Sequence, residues 1–129
     1  MKQLKSIKNK IKWEKCYDPD FDWDELFFYK DNKLSEDFIR EFRDRVYWPW
    51  ISRYQILSED FIREFQGEVD WSTISRFQIL SEDFIREFKD KVNWIWISKY
   101  QTLSENFIGE FQDRVSWYEI LNKYSSKDF

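Results

Sequence analysis

Acidic side chains recur in this sequence at fixed intervals, and paired carboxylates are one of the arrangements that perform general acid–base chemistry. Glu36, Asp37 and Glu41 stand together in one short segment, and the segment returns further along the chain. A catalytic pair is needed once, in one cleft, whereas these carboxylates recur with arginine neighbours in three identical copies, and the two glutamates recur in the fourth. We therefore interpret them as solvated structural positions, and we predict that the chain is not an enzyme.

The residue types that most other catalytic or metal chemistry requires are scarce. The sequence contains no histidine and one cysteine, Cys16, so the commonest general base and the usual zinc ligands are missing. Gly67 and Gly109 fall in segments predicted to be helical, which excludes a phosphate-binding loop. We expect no cofactor and no metal. Cys16 has two interpretations: a reactive thiol, or a small residue packed beside Trp13 and Tyr17.

The carboxylates belong to the segment LSEDFIREF, which begins at Leu34. It recurs unchanged from Leu57 and Leu80 and with edits from Leu103, always 23 residues apart. A fixed period of this length indicates stacked units that are each too small to bury their own apolar face. The predicted organisation is a degenerate capping unit at 1–33, four repeats at 34–56, 57–79, 80–102 and 103–125, and a tail at 126–129.

Each repeat carries the pattern of two short helices. In the second repeat, Ser58 is a favoured N-cap, and the apolar residues that follow it lie on one helical face. We predict ion pairs between residues four apart on the exposed face of the first helix, such as Glu36 with Arg40.

A second helix of seven or eight residues is predicted in each repeat. The position just before this helix carries Asp, Asn or Ser in the last three repeats, and all three residue types are favoured N-caps. In the second repeat the predicted core positions of this helix are Trp71, Ile74 and Phe77. The capping positions are Asp70, Asn93 and Ser116.

These patterns predict an all-α fold, a short α-solenoid of tandem helix-turn-helix repeats with atypical capping ends. The chain contains 13 Phe, 8 Trp and 7 Tyr, and each buried aromatic ring removes roughly 150–250 Å² from water. We therefore expect stacked rings to hold neighbouring repeats together.

The repeats disagree at the second and third residues of the second helix, and this variation marks a candidate surface. Substitutions in a core leave cavities, so a variable position is expected to be exposed. Tryptophan and arginine are enriched at binding hot spots. Two of the residues at these variable positions are tryptophans, Trp50 and Trp96. The alternative is that they fold back onto Tyr54, Tyr100 or a neighbouring repeat. The candidate partner-binding residues are Trp50, Arg53, Arg76, Trp96, Lys99 and Tyr118.

Glutamine recurs after the second helix, at Gln55, Gln78 and Gln101. One interpretation is a ligand-binding role for these amides. The other is that each amide forms hydrogen bonds to turn backbone between repeats, as buried polar groups generally do.

The charge of the chain limits the classes of partner that it is expected to bind. The net charge of −4 is opposite to the basic excess of a nucleic-acid binder, so we do not expect direct binding of nucleic acid. The lysine-rich residues 1–15 form either a self-paired leader, neutralised by the acidic stretch that follows, or an arm for a membrane or nucleic acid. The sequence shows no long apolar run and no secretory leader, so we expect no membrane association and an intracellular location.

The LSEDFIREF and W-x-x-I-S-x-Y-Q elements resemble those of aromatic-rich helical repeat proteins from giant DNA viruses, phages and some bacteria. The resemblance covers Leu34 to about Lys123. It implies a helical repeat and a viral, phage or bacterial origin, and it implies no activity.

Two functions follow as hypotheses. The first is a non-catalytic interaction module that binds another protein through a helical-repeat surface. The second is a viral or phage inhibitor whose rows of carboxylates mimic nucleic-acid phosphates and block a host enzyme.

Overall fold

The structure is a computed structural model that describes residues 13–29 and 31–124. Within these residues it contains ten helices and no β-strand. In chain order they are α1 (Trp13–Cys16), α2 (Trp23–Phe28), α3 (Glu36–Glu41), α4 (Trp48–Tyr54), α5 (Glu59–Glu64), α6 (Trp71–Phe77), α7 (Glu82–Glu87), α8 (Trp94–Tyr100), α9 (Glu105–Glu110) and α10 (Trp117–Tyr124). Residues 1–12, which hold most of the lysine-rich leader, and the predicted tail at 126–129 lie outside the described residues.

The prediction of an all-α helical repeat is confirmed. Helices α3, α5, α7 and α9 begin 23 residues apart, and so do α4, α6, α8 and α10. The chain divides into two compact units, Met1–Glu68 and Val69–Phe129. In the second unit, α8 packs against both α6 and α10, so successive repeats stack as expected for a solenoid.

The first helix of each repeat begins at the predicted serine. Ser35, Ser58, Ser81 and Ser104 each accept a hydrogen bond at Oγ from the backbone N–H three residues later, which satisfies a donor that has no helical partner. In the second repeat Phe61, Ile62 and Phe65 are all buried, which confirms the predicted apolar face. Each of these helices ends at the glutamate before a buried phenylalanine.

The second helices also begin where the sequence predicts. The Asp70 side chain accepts from Thr73 N–H, and the Asn93 side chain accepts from the first turn of α8. Tyr47 makes no side-chain cap, and Pro49 stands in the first turn of α4, where its missing N–H has no cost. The backbone N–H groups of Asn93 and Ser116 make equivalent contacts to the preceding repeat, to Ser75 Oγ and Ser98 Oγ, both at 2.9 Å.

The predicted core of the second helix is wrong at its last position. Phe77 is 39% exposed, and the equivalent Tyr100 is exposed as well. The helix instead buries Ile74 and Ser75, and Gln78 follows within the core. The inward-facing stripe of α6 therefore consists of the half-buried Trp71 at the first position and the buried residues at the fourth, fifth and eighth positions. The sequence pattern had placed the seventh position in this stripe instead of the fifth and eighth.

The opening unit differs from the repeats in a loop that Asn32 supports. Helix α2 begins after Asp22, whose side chain accepts a hydrogen bond from Glu25 N–H. Asn32 is buried and donates from Nδ2 to the Leu26 carbonyl at 3.1 Å. The longer link between α2 and the first repeat is thus stabilised by a buried amide, because the carbonyl at the end of a short helix needs a donor.

The last repeat ends with two substitutions that replace the recurring glutamine. Tyr124 stands at the glutamine position, and its hydroxyl lies 3.3 Å from both the N–H and the carbonyl of Leu103. Lys123 Nζ donates to the carbonyls of Ser98 and Gln101. In the last repeat two side chains, Lys123 and Tyr124, therefore make the hydrogen bonds that the single amide of Gln101 makes one repeat earlier.

Glycine occurs in two settings, and one of them weakens a helix. Gly67 lies in the turn after α5, which corrects its predicted placement in the helix, whereas Gly109 lies inside α9. A Cβ at Gly109 would meet nothing within 4 Å. We expect Gly109→Ala to raise the free energy of unfolding by roughly 0.5–1 kcal/mol, because alanine loses less backbone entropy in a helix. Urea unfolding checks this, with Gly67→Ala as the control outside a helix; equal gains at both sites would contradict it.

The described helices are all short. Within residues 13–29 and 31–124, none has both the length and the apolar character needed to span a bilayer.

Candidate functional site

Aromatic rings connect each repeat to the next in the way the sequence predicts. Trp71 lies 5.0 Å from the ring centre of Phe88, and Trp94 lies 5.1 Å from that of Phe111. Trp48 packs on Phe65 at 5.2 Å in the N-terminal unit. Offset ring pairs at these distances contribute beyond their buried area.

The same tryptophans fix the turn inside their own repeat. The indole Nε1 of Trp48, Trp94 and Trp117 donates to the carbonyl five residues earlier, at 3.1, 2.9 and 3.0 Å. One side chain therefore orients the two helices of a repeat through its N–H and contacts the following repeat through its ring.

The recurring glutamines bind turn backbone, so the second interpretation of these residues is confirmed for two of them. Gln101 accepts at Oε1 from Leu80 N–H at 3.0 Å and donates from Nε2 to the carbonyls of Gln78 and Ser75 at 2.6 and 3.0 Å. Gln55 makes the corresponding bonds to the loop before the first repeat. Each amide is buried, and its hydrogen bonds are made within the protein.

The repeated carboxylates form bridges between repeats, and the predicted pairing of Glu36 with Arg40 is wrong. Glu36 accepts from the N–H and the hydroxyl of Ser58 at 2.7 and 3.0 Å. Arg40 pairs instead with Asp37 and, through two nitrogens at 2.9 Å, with Glu64 of the next repeat. The Arg40 hydrogen bonds hold the pKa of Glu64 below its usual value.

The C-terminal unit repeats these bridges. Glu82 accepts from Ser104, and Arg86 donates two hydrogen bonds of 2.8 Å to Glu110, which lowers the pKa of that carboxyl. Such exposed pairs are worth little individually. Their recurrence indicates that these acidic and basic side chains serve assembly of the repeats.

Cys16 is fully buried in the opening unit. Burial raises the pKa of its thiol to about 11, against a smaller opposing effect from the charge of Arg45. The thiol is thus protonated at neutral pH, where a reactive cysteine would need the thiolate. The structure favours the packing interpretation of this residue.

Three of the candidate partner-binding residues come together in the C-terminal unit. The Arg76 guanidinium lies 5.2 Å from the ring centres of both Trp96 and Tyr100, and Lys99 Nζ lies 5.4 Å from the Tyr100 centre. Phe77 is also beneath Arg76, at 4.8 Å. We call these five residues, Arg76, Phe77, Trp96, Lys99 and Tyr100, the aromatic–cation cluster.

The cluster is anchored by Trp96, which is half-buried. Its Nε1 donates to Ser72 Oγ at 3.1 Å, and its ring lies 5.7 Å from that of Tyr100. The predicted folding back of Trp96 onto Tyr100 is therefore confirmed, and the ring still forms part of a cationic surface.

Trp50 is buried, so the exposed interpretation is wrong for this residue and the alternative, that its ring folds back onto Tyr54, is confirmed. It is 7% exposed and packs on Phe27 at 5.1 Å and on Tyr54 at 5.8 Å. The exposed interpretation failed because the neighbour of Trp50 varies too: α2 carries Phe27 where the first three repeats carry a small serine. A large residue at the variable position is covered when the facing helix supplies a large partner.

The other two candidates, Arg53 and Tyr118, are exposed and are not among the five residues of the cluster. Tyr118 is 73% exposed on α10, where Leu121, one turn later, is exposed too. Arg53 is exposed on α4, 5.0 Å from the ring centre of Tyr54. Helix α10 packs on α8, so Tyr118 belongs to the same helical layer as Trp96.

The comparisons with known proteins were negative. No model of a known protein family, no curated protein and no solved structure matches this chain. The resemblance to aromatic-rich helical repeats is supported as far as the repeat itself, with its regular spacing and its Trp and Phe positions.

Sequence reasoning missed two members of the cluster, Phe77 and Tyr100, because it assigned them to the core. A signal was present: this position carries Tyr54, Phe77, Tyr100 and finally Lys123. A position that accepts a hydroxyl and then an ammonium group is partly solvated.

Proposed function

We propose that this chain is a non-catalytic helical-repeat module that binds a protein partner through its C-terminal unit. The observation that carries this proposal is the aromatic–cation cluster, where Arg76 and Lys99 share the rings of Trp96 and Tyr100. These are exposed or half-exposed side chains of the types that dominate binding hot spots.

The chemistry of the cluster selects the partner. Arg76 and Lys99 give it two positive charges, and no carboxylate pairs with either one among the described ion pairs. Ile95 is exposed on α8, the helix that carries Lys99, and Tyr118 and Leu121 are exposed on α10. The partner surface would therefore be an acidic segment with apolar side chains.

A displayed library of random peptides tests which partner chemistry the protein selects, because the library assumes no particular partner sequence. We expect panning against the whole chain to enrich acidic peptides with aromatic or aliphatic residues. The double variant Arg76→Glu/Lys99→Glu should weaken their binding by ~10-fold or more, since opposite charges across an interface become like charges.

The matched control is Lys89→Glu/Lys91→Glu, which makes the same change in net charge at exposed residues of the same unit. We expect this control to change the affinity for the enriched peptides by no more than about twofold, because charges outside the contact act only weakly at physiological salt. Failure to enrich any peptide, or equal losses in the two double variants, would reject the proposal.

The second candidate, an inhibitor that mimics nucleic-acid phosphates, has less support. Its carboxylate rows would be Asp37, Asp60 and Asp83, and an arginine three residues later pairs with each at 2.6 Å. A phosphate mimic needs unneutralised negative charge. Competition with DNA for a basic protein, weakened by salt, would favour this candidate over the first.

The resemblance of the repeats also motivates a proposed viral, phage or bacterial origin. An intracellular location accompanies it, motivated by the free, buried Cys16, because reduced thiols persist in reducing compartments. Fluorescent tagging in an expressing cell would test the location.

A further inference from the structure

The N-terminal unit contains a cleft that the proposed partner surface does not use. Its volume is about 480 Å³, within the range of small-molecule sites. Helix α2 supplies one wall with Trp23, Phe27 and Phe28, and the segment from Arg45 to Trp50 supplies the other. The walls are mostly aromatic, which suits a flat apolar ligand.

Two of the tryptophans that line this cleft carry a buried indole N–H that has no acceptor. In the part of the chain that the structure describes, the buried side-chain nitrogen and oxygen atoms without a partner are Nε1 of Trp23 and Nε1 of Trp50. Both tryptophans line the cleft. Burying an N–H without an acceptor costs about 1–3 kcal/mol, so the coincidence of both in one cleft calls for an explanation.

Equivalent tryptophans elsewhere in the chain are satisfied. Trp23 stands at the repeat position where Trp48, Trp94 and Trp117 donate to a carbonyl five residues earlier. Trp50 stands at the position where Trp96 donates to Ser72. Among the buried side chains of residues 13–29 and 31–124, the donors without an acceptor are thus those of two tryptophans of this cleft, and they are not a general property of the repeat.

The charges of the cleft balance. Arg45 and Asp24 line it, and the Arg45 guanidinium lies 5.5 Å from the Trp23 ring centre. One positive and one negative group favour a neutral ligand, because an anion would meet Asp24 and a cation would meet Arg45.

We propose that this cleft binds a small, neutral, planar aromatic ring that carries a hydrogen-bond acceptor such as a ring carbonyl. The ring stacks between the aromatic walls, and its acceptor faces the indoles of Trp23 and Trp50. Arg45 offers further donors to the same acceptor edge. The site is separate from the aromatic–cation cluster, so either can fail without the other.

Binding can be followed directly at the two donors. In ¹⁵N-labelled full-length protein the eight tryptophans give separate Nε1–H signals, which are assigned with single Trp→Phe variants. Coumarin, a neutral bicyclic ring with a carbonyl, is the probe. We expect it to move the signals of Trp23 and Trp50 downfield, as a new hydrogen bond requires, and to leave those of Trp94 and Trp117 in place.

Two further probes test the chemistry of the ligand. Indole has a similar flat shape and no acceptor, and we expect it to bind about tenfold more weakly than coumarin, which is the value of one hydrogen bond. Coumarin-3-carboxylate adds a negative charge and should also bind less tightly than coumarin. Indole binding as tightly as coumarin, or the carboxylate binding more tightly, would overturn the proposal.

A pair of surface variants tests the place of binding. Phe28 is exposed at the wall of the cleft, so Phe28→Ala should keep the fold and weaken coumarin binding by about threefold to tenfold through lost ring contact. Ile56→Ala, at an exposed residue of the same unit away from the cleft, should have no effect. Equal effects of the two variants, or no movement of the Trp23 and Trp50 signals at the solubility limit of coumarin, would overturn the proposal.

Discussion

Replacing Trp94 with alanine is expected to lower the free energy of unfolding by about 3–5 kcal/mol, the usual cost of removing a large aromatic ring from a packed site. Trp94 joins two repeats: its ring lies on Phe107 and Phe111, and its N–H holds the turn at Lys89. The loss should appear as a lower urea midpoint, followed by circular dichroism.

The chain contains a matched control for this prediction. Trp117 occupies the same position in the last repeat, and its Nε1 makes the same bond to a carbonyl five residues earlier. It is 46% exposed, and no ring contact to it is found among the described residues. We expect Trp117→Ala to cost only about 1–2 kcal/mol, for one hydrogen bond and partial burial.

The difference between the two variants isolates the contact between repeats. If Trp94→Ala and Trp117→Ala lowered the midpoint equally, the rings would contribute only within their own repeat. The idea that stacked rings make neighbouring repeats depend on each other would then be wrong.

The sequence predicts the helices well because their determinants are local. A capping serine and the stripe of Phe61, Ile62 and Phe65 lie within eight residues, so periodicity and capping rules suffice. The 23-residue period then extends one correct helix pair to the other repeats. The fold class followed from information that each segment carries by itself.

Contacts between repeats were predicted less well because they join residues far apart in sequence. Glu36 was assigned to Arg40 on its own helix, whereas it bonds to Ser58, and Arg40 reaches Glu64. A bidentate pair across repeats satisfies two carboxylate oxygens at once, which an i,i+4 pair on a short helix does not. The choice depends on how the helices stack, which a single repeat does not reveal.

The candidate surface shows the same limit at Trp50. Variation among repeats indicated exposure correctly for Ile95 and Tyr118. It failed for Trp50 because burial depends on the facing residue, and Phe27 occurs only in the opening unit. Two departures from the repeat pattern complement each other there, and together they form the wall of the cleft.

The second large effect is expected at Gln101, the buried amide that joins two turns. Its three hydrogen bonds reach Leu80 N–H and the carbonyls of Ser75 and Gln78. Gln101→Leu keeps the volume and removes all three bonds, so we expect a loss of about 2–5 kcal/mol, since the desolvated backbone groups lose this partner. The variant should remain helical at low temperature and unfold at lower urea.

Gln101→Glu makes the origin of this loss testable by pH. At neutral pH a carboxylate would face the carbonyls of Ser75 and Gln78 in place of an N–H donor, and burial would raise its folded pKa above the unfolded value of about 4.3. The proton is then bound more tightly in the folded state. The penalty is therefore full above the folded pKa and shrinks as the pH falls toward the unfolded pKa, where the protonated acid donates a hydrogen bond again.

The expected result is a gap in unfolding free energy between wild type and Gln101→Glu that narrows from about pH 7 to about pH 4. Gln112→Glu, at an exposed glutamine of the same unit, serves as the control and should show a small gap that does not narrow in this way. A pH-independent gap for Gln101→Glu would mean that the side chain acts by its shape. The amide would then not be the hydrogen-bonded link between repeats, even though its three bonds have good geometry.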